Sequence, residues 1–225
     1  MAPDPSAVRR LYEQRADRYL AFVRFFRSRR GLQALLERTD LLRPRMQVLD
    51  AGCGAGLATF ALLDALEARR VEPGTVDAFD LTPAMLARFR GQLAAHGAAV
   101  RIALREANIL DPAALPDTWT GYDLVVSTSM LEYLPRDRLA PALATLRQRM
   151  SPHGRLLLMI TRRSPETKVM IEWGWDAERY SAGELRRALV QAGFDHFDFV
   201  RFPLRYGWLN RANHVVIATA PTAFA

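Results

Sequence analysis

The chain has a single cysteine, Cys53, and no long apolar run. One cysteine cannot form an internal disulfide, so a disulfide-stapled design is excluded. A membrane-spanning helix needs about 20 consecutive apolar residues, and the mean hydropathy of −0.07 is too low for a membrane bundle. Residues 1–6 lack the apolar stretch of a secretory signal. We therefore expect a soluble, cytoplasmic protein.

Lysine is almost missing as well. Lys168 is the only lysine among 31 basic residues, and the net charge is +7. This excess of arginine suits nucleic acid or another acidic partner, but coding bias explains it equally well. The densest basic cluster, residues 24–30, is more typical of a solvated helix face than of a phosphate-binding or membrane surface. Nucleic acid is therefore only an alternative partner, and we expect no membrane binding.

The chain does contain enough apolar material for a hydrophobic core. A length of 225 residues with 50% hydrophobic and 24% charged residues is typical of one globular domain. From Ser6 to Leu42, apolar residues recur at three- and four-residue steps, which predicts a helical N-terminal cap broken at Gly31. From Gln47 onward short apolar strands alternate with helices, which predicts a parallel sheet with helices on both faces.

The C-terminal third departs from this alternation. Residues 162–180 have no clear period, and a helix that starts with the capping box of Ser181 and Glu184 follows them. The last two strands are joined by a loop too short for a crossover helix, so we expect them to form an antiparallel hairpin. The predicted strands are residues 47–50, 75–80, 100–104, 122–127, 154–160, 196–202 and 214–219, with a helix predicted at 136–150.

The strongest motif is the glycine-rich turn after the first strand. Gly52, Gly54 and Gly56 follow Asp50 at alternate positions, and Asp80 ends the next strand. Glycines allow a sharp turn and a close approach of the backbone to a ligand. The third glycine comes one residue earlier than in the dinucleotide pattern, and the Asp50 carboxylate would repel phosphate. A ligand with a sulfonium, an ammonium and a ribose diol, such as S-adenosylmethionine, suits this turn better.

Six segments in order along the chain resemble the class I S-adenosylmethionine-dependent methyltransferases of the small-molecule type. The family's fold is a Rossmann-like α/β fold with a seven-stranded, mostly parallel sheet, an antiparallel C-terminal hairpin, helices on both faces and a helical N-terminal cap. The segments are residues 48–56, 79–86, 107–111, 122–127, 150–156 and 180–185 with 192–194.

The resemblance implies four parts within one methyltransferase domain. They are a helical cap or lid (1–45), a cofactor-binding core (46–161), an acceptor-side insert (162–180) and the last helix with the terminal hairpin (181–225).

The resemblance also implies which residues bind S-adenosyl-L-methionine. Asp80 is expected to hold the ribose hydroxyls, with capping of the next helix as the alternative. Asn108 stands where the family usually has aspartate and either meets the adenine or is an ordinary loop residue. Asp50 either contacts the ligand or braces the glycine turn. The predicted cofactor residues are Tyr19, Asp50, Gly52, Gly54, Gly56, Asp80, Leu81, Met85, Asn108, Ile109 and Ser127, and no metal is predicted.

Methyl transfer from a sulfonium is an in-line displacement that depends mainly on alignment and exclusion of water. A base helps only when the acceptor is a protonated oxygen or nitrogen. Glu132 and Tyr133 follow the fourth strand and are the catalytic candidates, with helix capping and core packing as their alternatives. For the acceptor, either aromatic or anionic, we predict contacts from Tyr12, Arg162, Arg163, Trp173 and Trp175.

These observations predict a methyltransferase of secondary metabolism that acts on an oxygen or nitrogen of a small molecule, as a monomer or homodimer. One alternative is an RNA methyltransferase. Enzymes that methylate exocyclic amines of bases commonly carry Asn/Asp-Pro-Pro-aromatic after the fourth strand, whereas residues 127–130 read Ser-Thr-Ser-Met. The other alternative is a non-catalytic relative that binds S-adenosylmethionine.

Overall fold

The computed structural model describes residues 28–97, 100–172 and 177–221. Four residues for which contacts are predicted lie outside these ranges, namely Tyr12, Tyr19, Trp173 and Trp175. The first part of the predicted N-terminal cap lies outside them as well.

The described residues form seven strands, which are β1 (Gln47–Ala51), β2 (Thr75–Asp80), β3 (Arg101–Glu106), β4 (Tyr122–Thr128), β5 (Met150–Thr161), β6 (His196–Val200) and β7 (Asn213–Thr219). They make one sheet in the order β3-β2-β1-β4-β5-β7-β6. The first five strands along the chain pair in parallel, and β7 pairs antiparallel with both β5 and β6. The predicted fold class is confirmed.

Helices cover both faces of the sheet. The helices are α1 (Ser28–Leu36), α2 (Leu57–Ala68), α3 (Pro83–His96), α4 (Leu139–Gln148), α5 (Pro165–Glu172), α6 (Ala182–Gln191) and α7 (Leu209–Ala212). Alternate residues of β5 face opposite sides: Leu156 and Leu158 belong to the apolar cluster beneath α4 and α6, whereas Leu157 and Met159 belong to the cluster beneath α1 and α2. A strand buried on both sides needs such a continuous apolar run.

The predicted break at Gly31 is wrong. Helix α1 runs through this residue from Ser28 to Leu36. Glycine inside a helix costs about 1 kcal/mol relative to alanine, but here it makes room for tertiary packing. A Cβ on Gly31 would collide with the side chain of Leu209, which belongs to the connection between β6 and β7.

Two other local predictions need correction. The helix predicted at 136–150 starts with a 3₁₀ turn, Arg136–Arg138, and α4 ends at Gln148, after which β5 begins. The segment without a period, residues 162–180, contains α5. The predicted antiparallel pairing of the last two strands is confirmed, and the loop between them contains the 3₁₀ turn Leu204–Tyr206 and the short helix α7. These short elements depend on contacts with other parts of the chain, which a local pattern does not reveal.

The predicted capping box is confirmed. The Ser181 hydroxyl accepts a hydrogen bond from the Glu184 backbone N–H at 3.3 Å, and the Glu184 carboxylate accepts one from the Ser181 N–H at 2.7 Å. These contacts satisfy N–H groups that a helix start would otherwise leave unpaired. They fix the start of α6 at Ser181.

Candidate functional site

The turn between β1 and α2 requires glycine. Gly52, Gly54 and Gly56 have φ of 73°, 51° and 90°, a left-handed region that strains other residues. A Cβ on Gly52 would also collide with the side chain of Met130, and one on Gly56 would collide with Phe89. The turn therefore brings bare backbone to the carboxyl end of β1.

Asp80 fixes this turn to the end of β2. Its carboxylate accepts hydrogen bonds from the backbone N–H groups of Gly54 at 2.8 Å and Thr82 at 2.9 Å. Burial raises the pKa of Asp80, although both hydrogen bonds oppose this shift. A carboxylate has about four acceptor sites, so Asp80 keeps acceptor capacity for a ligand hydroxyl while it organises the loop.

Asp50 is buried beneath the same turn, with 1% of its surface exposed. Its Oδ2 accepts hydrogen bonds from the Thr59 hydroxyl at 2.6 Å and the Thr59 N–H at 3.1 Å. These contacts brace α2, which follows the glycine turn, against β1. Burial raises the pKa of Asp50 to about 6.

Two buried oxygens at the strand ends lack hydrogen-bond partners within the described part of the chain. They are Oδ1 of Asp50 in β1 and the hydroxyl of Ser127 in the neighbouring strand β4. An unsatisfied buried polar atom costs about 1–3 kcal/mol, which a ligand with N–H and O–H donors would recover. An ammonium and a ribose diol provide such donors, whereas phosphate would meet two carboxylates. These residues therefore fit S-adenosylmethionine.

The other predicted cofactor residues in the described part of the chain, which excludes Tyr19, lie around the same turn and the ends of β2 and β3. The Ala107 N–H donates to the carbonyl oxygen of Asp80 at 3.1 Å, which joins the segment after β3 to the end of β2. Asn108 Oδ1 accepts the Leu110 N–H at 3.0 Å, so part of its acceptor capacity holds its own loop. Ile109 and Met85 are buried, and Leu81 is partly exposed.

On the other side of the sheet's centre, Glu132 is buried in a 3₁₀ turn, Leu131–Tyr133, with 2% of its surface exposed. Its Oε1 accepts a hydrogen bond from the Thr161 hydroxyl at the end of β5, at 2.8 Å. Its Oε2 has no partner among the described residues. Burial raises the pKa of Glu132 to about 7. Glu132 does not cap the helical turns that follow, because its Oε1 accepts from Thr161 and its Oε2 has no partner among the described residues.

Tyr180 also belongs to this side of the site, although it is not among the predicted site residues. Its side chain is buried, and its hydroxyl has no hydrogen-bond partner among the residues described. Burial and the nearby carboxylates of Glu178, Glu132 and Glu184 raise the pKa of Tyr180 to about 12. The only signal in the sequence was a tyrosine immediately before a helix start.

Arg162 and Arg163 lie at the same edge of the sheet but already have protein partners. Arg163 donates to Glu184 at 2.8 Å, and Arg162 donates to the carbonyl oxygen of Asn210 at 3.2 Å. Arg136 joins this set through Glu178 at 2.6 Å and Glu184 at 3.0 Å. Tyr133 is buried.

These ion pairs hold residues 178–184 against the turn that contains Glu132. A backbone bond from the Glu178 N–H to the Glu132 carbonyl oxygen, 2.7 Å long, adds to them. Although burial alone would raise it, hydrogen bonds from Ser181 and Arg163 lower the pKa of Glu184 to about 2. Glu184 therefore stays charged across the physiological range.

Within the described ranges 28–97, 100–172 and 177–221, no group of three or more histidine, cysteine, aspartate or glutamate side chains is placed to hold a metal ion. No helix there has the length and apolar character that crossing a bilayer requires.

Comparison with known proteins agrees with this geometry. The family described as a methyltransferase domain matches residues 49–156. Malonyl-[acyl-carrier protein] O-methyltransferase of Halorhodospira halophila is 33% identical over 204 residues, which are 85% of this chain and 62% of that protein. Carboxy-S-adenosyl-L-methionine synthase of Shewanella amazonensis is 32% identical over 115 residues, or 51% of this chain and 44% of that protein. The chain thus spans less than two thirds of either relative.

A solved structure extends the likeness to the whole fold. Magnesium protoporphyrin IX methyltransferase of Synechocystis with bound SAH has a TM-score of 0.71 at 17% identity. The match covers 96% of this chain and 99% of that one. At this identity the likeness concerns the fold.

Proposed function

Because the chain belongs to the class I S-adenosylmethionine-dependent methyltransferases, we propose that it transfers a methyl group from S-adenosyl-L-methionine to an oxygen or nitrogen of a small-molecule acceptor. The observation that carries this proposal is the glycine turn flanked by two carboxylates, Asp50 and Asp80. Such a turn disfavours a phosphate-bearing cofactor and favours a cationic one with a diol.

Each part of the cofactor has a matching group in the chain. Asp80 receives the ribose hydroxyls, and Asn108 with Ile109 borders the adenine. The free oxygen of Asp50 and the backbone of Gly52 face the amino-acid portion, near Ser127. The bound cofactor supplies an electrophilic methyl group on a sulfonium. Tyr19 remains a predicted contact from the N-terminal cap.

Glu132 acts as the base when the acceptor carries a proton. Thr161 holds one carboxylate oxygen at 2.8 Å, and the other has no protein partner in the described chain. A carboxyl with a pKa of about 7 is half deprotonated at neutral pH, which suits proton transfer. With the cofactor bound, the acceptor's proton would pass to Glu132 as the methyl group is transferred, and the electron pair of the broken carbon–sulfur bond would stay on the cofactor's sulfur.

The acceptor lies between the turn of residues 131–136 and the segment after β5. Tyr133 and Tyr180 border this space, and Arg162 and Arg163 contribute positive charge at its rim. Tyr12, Trp173 and Trp175 remain predicted contacts. The Halorhodospira relative is named for an acceptor on an acyl-carrier protein. That name supports an acceptor presented by a carrier protein. The net charge of +7 would favour the binding of such a carrier if it is acidic.

Calorimetric titration tests the proposal first at the level of the cofactor. S-adenosylmethionine and its demethylated product are expected to bind, and NAD is not. Release of labelled methyl to a panel of hydroxyl, amine and carrier-bound acceptors then tests the transfer. Folded protein that gives no heat with either sulfur-containing nucleoside would refute the proposal, and binding without transfer to any acceptor would favour the non-catalytic alternative.

A further inference from the structure

The connection between β6 and β7, residues 201–212, exposes apolar side chains. Leu204 is 99% exposed and Trp208 is 42% exposed, although large apolar residues elsewhere in the described chain are mostly buried. Single exposed apolar residues are ordinary on protein surfaces. Two of them within five positions on one connection define a local patch.

The same connection is positively charged. Arg201, Arg205 and Arg211 are all exposed, and no aspartate or glutamate occurs in residues 199–225. Glu166 of α5 is close enough to Arg211 and Arg162 to interact with them, and it offsets part of this positive charge. The patch therefore keeps a net positive charge around Leu204.

The patch is rigidly supported. The Asn210 side chain accepts the Phe202 N–H at 2.9 Å and donates to the Phe202 carbonyl at 3.4 Å, which closes the connection on itself. The rings of Tyr206 and Trp208 lie 5.6 Å apart in an edge-to-face arrangement. Tyr206 and Leu209 pack against α1 at Gly31. A preformed surface loses little conformational entropy on binding.

The patch also lies at the acceptor edge of the sheet. Because β7 runs antiparallel to β5, its start, Asn213, lies opposite Thr161 at the end of β5. The Arg162 N–H donates to the Ala212 carbonyl at 2.8 Å, which joins the connection directly to the residue after β5. Thr161 in turn holds Glu132. A partner seated on this connection is therefore close to the proposed acceptor space.

We propose that residues 201–212 dock the acidic surface of a carrier protein that bears the acceptor. The inference rests on the proposed function for the identity of the cargo, but docking itself is a separate property. Leu204 enters an apolar depression of the partner, and the three arginines face carboxylates around it. Electrostatic complementarity of this kind speeds encounter and sets orientation.

A protein partner fits better than a lipid surface. Each arginine near an anionic membrane contributes only about 1 kcal/mol, and stable anchoring needs a wide apolar face or two lipid chains. One exposed leucine and a partly exposed tryptophan provide little area. They suffice for a small interface in which a central apolar residue is surrounded by charge.

The test is direct binding of purified acyl carrier protein bearing its phosphopantetheine arm to the full chain, at low and high salt. The first variant, R201Q/R205Q/R211Q, is expected to weaken binding at least tenfold and to reduce its salt dependence. The second, L204S, is expected to weaken it about fivefold. The control, R38Q/R43Q/R187Q, removes the same charge from exposed arginines elsewhere and should change binding less than twofold.

The readouts separate this inference from the proposed function. Titration with the demethylated cofactor should be the same for all these variants, which also shows that they fold. No binding of the carrier protein by the unaltered chain, or equal losses in the two triple variants, would overturn the docking surface. So would binding only to phosphatidylserine vesicles. Carrier binding that depends on residues 201–212, without cofactor binding, would support docking and refute the methyl-transfer proposal.

Discussion

The two sides of the candidate site are built in different ways. On the cofactor side, the carboxylates of Asp80 and Asp50 accept hydrogen bonds from backbone N–H groups, that of Gly54 26 residues away and that of Thr59 nine residues away. On the acceptor side, Glu132 depends on Thr161, 29 residues away, and Arg136 on Glu184, 48 residues away. The comparison teaches that one side is held mainly through backbone groups, whereas the other is a network between the side chains of distant segments.

The sharpest test of this contrast is Glu132→Gln. The amide keeps the size of the side chain and can still accept from Thr161, but it cannot take a proton. General bases contribute about 10²–10⁴-fold, so kcat should fall by that factor while cofactor affinity is unchanged in calorimetry. The exposed neighbour Asp137, changed to Asn, serves as control and should retain full activity. Equal losses of kcat in the two variants would mean that the effect comes from the loss of a negative charge and not from the loss of a base.

Gly52→Ala should instead weaken binding of the cofactor. The alanine is strained at φ 73° and collides with Met130. Strain and overpacking together cost about 3 kcal/mol, so affinity for the demethylated cofactor should fall roughly 100-fold in calorimetry. Gly97→Ala is the matched control, since it has φ 65° but open space around it. If both variants bound equally well, the turn would not hold the ligand.

The pH dependence of stability should also report on Glu132. Its folded pKa of about 7 lies above the ordinary value of 4.5, so the folded state binds the proton more tightly. The stability that comes from this proton is present below about pH 4.5 and is lost as the pH rises through 7. Between pH 5 and pH 8, the free energy of unfolding of Glu132→Gln should therefore rise by about 2 kcal/mol relative to that of the unaltered protein. Urea unfolding measures this difference. If the difference in free energy of unfolding between the two proteins stayed constant across this pH range, it would contradict the raised pKa of Glu132.

The smallest expected effect concerns the support of the acceptor side. Glu184→Ala removes the capping box and the ion pairs with Arg136 and Arg163. Because both arginines are partly exposed, the ion pairs add little, and the cap dominates at about 1 kcal/mol. We expect Tm to fall by roughly 2–4 °C. Glu67→Ala, an exposed position in α2, should leave Tm nearly unchanged, and a similar fall there would contradict the role of the cap.

The sequence predicted the architecture well because each strand carries its own pattern. Continuous apolar runs in β1, β4 and β5 indicated strands buried on both faces, and the short final connection indicated an antiparallel pair. Gly31 was misinterpreted because its role does not come from a local pattern. Its role depends on Leu209, which is far along the chain.

The candidate site divides in the same way. The position of Glu132 after β4 could be predicted, but neither its burial nor its contact with Thr161 could. Arg162 and Arg163 were expected at the correct edge, yet their partners Asn210 and Glu184 come from later segments. Tyr180 was missed because a single tyrosine has no pattern around it.

By itself, the sequence determined the succession of strands and helices along the chain, the glycine turn and the carboxylate at the end of β2, because apolar periodicity and the backbone freedom of glycine act over a few residues. Only the tertiary structure decided which buried oxygens stay without a partner, which arginines are already paired and where Leu204 is exposed. Those properties arise from desolvation and charge pairing between segments that are distant along the chain and meet only at one edge of the folded sheet.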